Sequence, residues 1–169
     1  VLVKSININT IPQAVICGHF LNKFKKSGKS LTSAFIDLSS IGAELPMVKR
    51  HIYTATKSFN YYFTRAMSNA TSRGMNVFCQ SVLPSLVQTN MAEDFKRTFE
   101  KGKMDQEFAL STMAHPSETV EGSIRGLAFG LTVISGSFVH SVLRIVFFAL
   151  NDITWFLFDL KAAFRQMRS

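Results

Sequence analysis

The sequence predicts an α/β fold built on a parallel sheet, and three stretches carry that expectation. Ser33-Ala34-Phe35-Ile36-Asp37-Leu38-Ser39-Ser40 is a short apolar strand ending in hydroxyls. Met75-Asn76-Val77-Phe78-Cys79-Gln80-Ser81-Val82-Leu83-Pro84 is a second strand, closed by proline. Between them runs a long helical stretch, His51 to Arg73. Strand, helix and strand within about fifty residues make a parallel βαβ unit. Its first strand presents Ser39 and Ser40 at its carboxyl end, the edge at which open α/β sheets bind ligands.

The remaining elements follow in order. A helix is expected over Ile6 to Lys26, ahead of the first strand at Ala34 to Ser39; the second strand spans Asn76 to Leu83. A polar segment, Thr89 to His115, is charged and rich in Met and Phe. Pro116-Ser117-Glu118 opens another helix, with proline and an acid suited to its first turn, and that helix should end near Gly130. Leu131 to Ile134 is short enough to be the last strand. From Phe138 to Phe164 the chain turns strongly apolar, yet His140, Arg144, Asn151, Asp152 and Asp159 interrupt it. No run there reaches the roughly 18 residues that spanning a membrane requires. Asn151-Asp152 reads as a helix break with a new N-cap, so two amphipathic helices are expected. They could lie on a membrane, cover a substrate entrance, or pack on the sheet or a partner subunit. Lys161, Arg165 and Arg168 suit a helix C-terminus or lipid headgroups.

Composition narrows the classes. The chain has 169 residues, 47% of them hydrophobic, enough to bury a core as one domain. The formal charge of +8 does not amount to a nucleic-acid interface. Lys23, Lys25, Lys26 and Lys29 form one cluster around Gly28, and no aromatic-basic stacking motif accompanies them. A solvated turn, or attraction to anionic lipid or an acidic substrate, accounts for that cluster. Cys17 and Cys79 fall in a helix and a strand and are expected as free, buried thiols. His19, His51, His115 and His140 are dispersed without metal-ligand spacing and read as structural or solvated, so no metal is expected.

The chemistry lies in Tyr53-Thr54-Ala55-Thr56-Lys57. On a helix Tyr53 and Lys57 stand one turn apart on one face. An ammonium there favours the ionised phenol and makes it a better proton donor to a carbonyl under reduction. A serine hydroxyl from the neighbouring strand end would hold the carbonyl oxygen. Such a site lacks only a hydride carrier.

On these residues the chain resembles the short-chain dehydrogenase/reductases, most of all their group of microsomal 17-beta-hydroxysteroid dehydrogenases and very-long-chain 3-oxoacyl-CoA reductases. The matching stretches are Ile36 to Ser40, Ile52 to Phe59 and Gln80 to Thr89, and the thirteen-residue step from Ser40 to Tyr53 is the family's own spacing. The resemblance is strong from Ile6 to Met91, weaker from Pro116 to His140, and absent from the tail. It implies Tyr53 as acid/base, Lys57 as the group that holds the ribose and makes the phenol more acidic, and Ser40 as carbonyl positioner. It implies Pro84, Val87 and Thr89 at the nicotinamide end of the cofactor. The family's catalytic asparagine falls on Asn9 or Asn7; counting back from Asn22, which stands where relatives carry proline, favours Asn9. Ala43 stands where a glycine is common, with Gly42 one place early.

The family's glycine-rich turn, which cradles a pyrophosphate at a helix N-terminus, has no counterpart among the nine scattered glycines. The expectation is therefore the C-terminal part of a doubly wound, Rossmann-like sheet, with the cofactor-binding strands lying upstream of Val1. Residues 1–135 would be its catalytic half and 136–169 an apolar helical tail. The resemblance further implies NADP(H) ahead of NAD(H), a lipid-like ketone, 3-oxoacyl or alcohol substrate, contact with a membrane surface or a second copy, and an endoplasmic reticulum location, with a cytoplasmic one as the alternative. A different reading is a non-catalytic remnant that serves as a membrane-associated interaction module.

Overall fold

The computed structural model describes residues 2–26, 33–45, 50–71, 77–90, 111–146 and 148–150. Helix α1 (Leu2–Lys26) precedes strand β1 (Ser33–Leu38), a short 3-10 turn (Ile41–Ala43), helix α2 (His51–Thr71), strand β2 (Val77–Val82), helix α3 (Pro116–Ala128) and strand β3 (Val133–Ile134). The three strands form one parallel sheet in the order β1-β2-β3. Ser33 lies opposite Val77 and Leu38 opposite Val82, so the carboxyl ends of β1 and β2 finish level. A further helical stretch covers 138–146.

Local chemistry explains the boundaries. Helix α1 begins at Leu2 rather than Ile6, because nothing between them breaks a helix; Ser5, Asn7 and Asn9 sit inside it rather than capping it. Pro12 lies within α1 and has no N–H to give the Ile8 carbonyl. Strand β1 stops at Leu38 because Ser40 turns the chain: its hydroxyl accepts from the Gly42 N–H at 3.1 Å and caps the 3-10 turn. Helix α3 opens on Pro116 with Glu118 in its first turn, as its sequence suggests, but the cap is the His115 ring, which accepts from the Ser117 N–H at 3.3 Å. It closes at Gly130, where φ is 70°. The Leu131 N–H reaches Gly126 O at 2.8 Å and the Gly130 N–H reaches Leu127 O at 3.0 Å, a Schellman ending that only a residue tolerant of positive φ supplies cheaply. Gly122 permits the close approach of α3 to the Gly136 backbone, whose carbonyl a Cβ would strike.

Among the described residues the buried interior is largely polar. Ala43, Tyr61 and Leu83 pack together with Val133 against them. Beside them Gln80 is fully buried, accepting from Ser123 Oγ at 2.7 Å and donating to Leu131 O at 3.0 Å, so β2, α3 and the approach to β3 are stitched by one amide. Cys17 and Cys79 are free and buried; burial pushes the Cys17 thiol up to about 11. Among the described residues no helix is long and apolar enough to cross a membrane. Most of the polar segment from Thr89 to His115, the end of the lysine cluster and the second half of the apolar tail lie outside the described residues.

Candidate active site

The site is built where β1 and β2 end. Ser39 and Ser40 follow β1 directly, and the Ser39 N–H continues the sheet ladder onto Val82 O at 2.9 Å. Helix α2 crosses just above. Ser39 Oγ donates to the Lys57 carbonyl at 2.7 Å, and Lys57 Nζ donates back to Leu38 O at 2.9 Å. This reciprocal pair fixes how far the lysine can reach. Tyr53 lies one turn back on α2, its ring centroid 6.0 Å from Lys57 Nζ. Tyr53 and Lys57 are half-buried and Ser40 is buried. Ser40 Oγ spends an acceptor lone pair on Gly42 and retains its own proton to donate.

Asp37 was not among the residues singled out from sequence, yet it shapes the electrostatics here. It sits opposite Ser81 in the sheet and is 7% exposed. Burial pushes its carboxyl up, and the nearby Lys57 charge opposes that rise. Burial conversely draws Lys57 down, with Asp37 opposing. Each group thus eases toward neutrality and is held charged by the other. The Asp37 Oδ2 oxygen has no hydrogen-bond partner among the described residues.

Helix α1 meets α2 through amides and hydroxyls. Asn9 Nδ2 donates to Thr56 Oγ1 at 3.0 Å, next to Lys57 in sequence, while Thr56 Oγ1 donates to Tyr53 O at 2.8 Å. Asn7 is exposed and Asn9 half-buried, so α1 turns Asn9 toward the Tyr53–Lys57 helix. One turn on, Gln13 Nε2 donates to Thr64 Oγ1 at 3.1 Å and Asn60 O at 3.4 Å.

The loop after β2 carries the remaining residues. Pro84 is buried and its carbonyl accepts from the Ile41 N–H at 3.0 Å, so the Ser40 turn and this loop are bonded to each other. Val87 makes a parallel bridge with Ala114, through Ala114 N–H to Leu86 O and Gln88 N–H to Ala114 O, both 3.0 Å. Thr89 is exposed, its hydroxyl 3.4 Å from Val87 O. Ser40, Tyr53 and Lys57 therefore share one sheet edge with Pro84 to Thr89, and Asn9 approaches from beneath through Thr56. No group of three or more metal-ligating side chains occurs among the described residues.

A parallel sheet, a Ser-bearing strand end and a Tyr–Lys helix above it make the carboxyl edge of a Rossmann-like sheet, and known proteins share that fold. No family model matches the chain. Human very-long-chain 3-oxoacyl-CoA reductase is 34% identical over 101 residues, 60% of this chain and 31% of that protein. Among solved structures, the short-chain dehydrogenase from Sphingobium yanoikuyae in complex with NADPH superposes with a TM-score of 0.61 at 20% identity, covering 88% of this chain and 54% of that one. A 4-hydroxyisoleucine dehydrogenase complexed with NADH gives 0.59 at 16% identity, covering 80% and 55%. Over the matched residues the chain is similar in sequence to very-long-chain 3-oxoacyl-CoA reductases, and its fold is that of short-chain dehydrogenases. It spans about a third of the length of the curated relatives it matches.

Proposed function

We propose that this chain is the carbonyl-handling part of an NAD(P)H-dependent short-chain oxidoreductase that reduces a ketone or 3-oxoacyl group of a lipid substrate. One observation carries the reading: Lys57, hydrogen-bonded across to the end of β1, stands one turn from Tyr53 and beside the Ser40 turn. Ser40 donates its free hydroxyl proton to the substrate oxygen while its own oxygen accepts from the Gly42 N–H. Tyr53 hands its phenolic proton to that oxygen as negative charge develops there. Lys57 uses one donor on Leu38 O, leaves two for ribose hydroxyls, and is eased by burial toward passing a proton to the phenol. Asn9, held on Thr56, supports the water through which Lys57 is resupplied. Pro84, Val87 and Thr89 line the nicotinamide end, where the exposed Thr89 hydroxyl and the backbone of the bridged loop are the available polar groups. The cofactor, when bound, supplies the hydride.

Among the described residues no glycine-rich turn stands beside these groups to meet a pyrophosphate. The likeness to 3-oxoacyl-CoA reductases and a putative steroid dehydrogenase supports an acyl or steroid carbonyl as substrate, and NADP(H) and an endoplasmic reticulum location follow as what the family resemblance implies. Exposed apolar side chains on the helix over 138–146, Phe138 at 83% and Ile145 at 71%, support contact with a membrane surface or a second copy. They also suit the other reading, a non-catalytic membrane-associated module.

The test is NADPH consumption by the complete protein offered a long-chain 3-oxoacyl-CoA and, separately, a 17-ketosteroid. Saturable oxidation with either supports the oxidoreductase; none with either, by a folded protein that binds NADPH, supports the module.

A further inference from the structure

The helix over 138–146 reaches both loops of the candidate site through two side chains one turn apart, His140 and Arg144. Arg144 Nε and Nη2 donate to the two carboxylate oxygens of Glu44, each at 2.6 Å, in the two-pronged geometry a guanidinium makes with a carboxylate. The Glu44 side chain is 9% exposed and that of Arg144 30%. Glu44 is no distant surface acid. It is the C-cap of the turn that Ser40 opens, and its N–H bonds Ile41 O at 3.2 Å. Ser58 Oγ holds the same turn by donating to Ala43 O at 2.6 Å.

His140 is fully buried, and both ring nitrogens are engaged. Nδ1 accepts from the Ser85 N–H at 3.2 Å, which places the ring proton on Nε2, where it points at Thr112 O, also 3.2 Å away. Ser85 follows Pro84, whose carbonyl is the link to the Ser40 turn. A histidine that only filled space would not need an acceptor aimed at that amide.

We propose that Arg144 and His140 are positioning residues: Arg144 sets the Ser40 turn through Glu44, and His140 sets the loop from Pro84 to Thr89 through the Ser85 amide. The helix that begins the apolar tail is then part of the reaction's framework. This rests on the oxidoreductase reading for its kinetic consequences but not for its structural ones, and the two are tested apart.

The experiment compares Arg144→Ala and His140→Leu in the complete protein, by steady-state kinetics and by amide hydrogen exchange. Arg144→Ala is expected to lower kcat/KM for the carbonyl substrate by about 10- to 100-fold, the scale of a small misplacement of a reacting group, with the NADPH KM little changed. His140→Leu is expected to raise the NADPH KM. In exchange, Gly42 should lose protection in Arg144→Ala and Ser85 in His140→Leu, each without the other. Arg144→Lys and His140→Asn, which keep the charge and an acceptor near Nδ1, should give intermediate effects, and they serve if a truncation does not fold. Equal effects of both substitutions on both ligands and both amides would overturn the proposal as simple loss of stability. Unchanged exchange at Gly42 and Ser85 would overturn it outright. If the wild-type protein transfers no hydride while the exchange pattern holds, it is the oxidoreductase reading that falls.

Discussion

Two helices brace the Tyr53–Lys57 helix and its sheet, and they do so with opposite chemistry. Among the described residues, α1 hydrogen-bonds α2 through neutral groups: Asn9 on Thr56, and Gln13 on Thr64 and Asn60. The helix over 138–146 attaches through a mostly buried ion pair, Arg144 with Glu44, and a buried imidazole, His140. Neutral bonds contribute about 1 kcal/mol each and are indifferent to salt and pH. A mostly buried charge pair adds little net stability when intact, yet losing one partner strands the other, which costs several times as much. The α1 seam is therefore tolerant of change, and the 138–146 attachment is costly to break at either of its two residues.

That contrast can be broken in order of effect. Lys57→Ala, on the helix that both seams brace, should act most strongly, lowering turnover and weakening NADPH binding together in the complete protein; a loss confined to one of these would separate its two roles. Next comes Glu44→Gln, which leaves the Arg144 guanidinium without its counter-charge. It should destabilise the fold by about 2–3 kcal/mol, below the fully buried range because Arg144 keeps some solvent, as read by urea denaturation. Asn9→Ala should cost about 1 kcal/mol, with no change in that cost between low and high salt.

Acid should separate the two attachments without mutation. Burial holds His140 below the ordinary histidine range, with backbone carbonyls and Glu118 on α3 pulling the other way. Its folded value lies below its unfolded one, so its contribution is complete above about pH 6.5 and is lost as pH falls from there. Burial pushes Glu44 up, but the bonds and charge of Arg144 outweigh it and leave the carboxyl below its usual range. Its contribution is present above the ordinary carboxylate range and fades at lower pH still. Exchange protection at Ser85 should therefore fall before that at Gly42 as pH drops, while the bonds of Asn9 to Thr56 and of Gln13 to Thr64 and Asn60 contain no group that titrates. Smallest of all, Cys17 and Cys79, whose thiols burial pushes up, should resist iodoacetamide in the folded protein and react only on unfolding.

What could be read from the sequence follows the range of each interaction. Tyr53 and Lys57 are one turn apart, and Ser40 belongs to a strand ending beside them, so local spacing is enough to single them out. The βαβ core was equally visible, because β1 and β2 are short apolar runs bounded by hydroxyls and proline. Asn9 against Asn7 was left open by spacing, since the choice depends on the rotation of α1 relative to α2 rather than on either residue's neighbours. Asp37 escaped because an acid in a strand reads as a solvent-facing position until its partner across 20 residues, Lys57, is seen. Arg144 and His140 read as interruptions of an apolar tail. Their partners are Glu44, 100 residues away, and the Ser85 amide, 55 away, and no local pattern announces contacts at that distance.

The account stands on Tyr53 as the proton donor, and one comparison tests that directly. In the complete protein, Tyr53→Phe keeps the ring and removes only the hydroxyl. NADPH binding, followed by nucleotide fluorescence, should stay within a few-fold of wild type. Carbonyl reduction in a single turnover should fall by the 10²–10⁴-fold that general acid/base groups contribute. A Tyr53→Phe protein that binds NADPH and keeps most of its turnover would contradict the account.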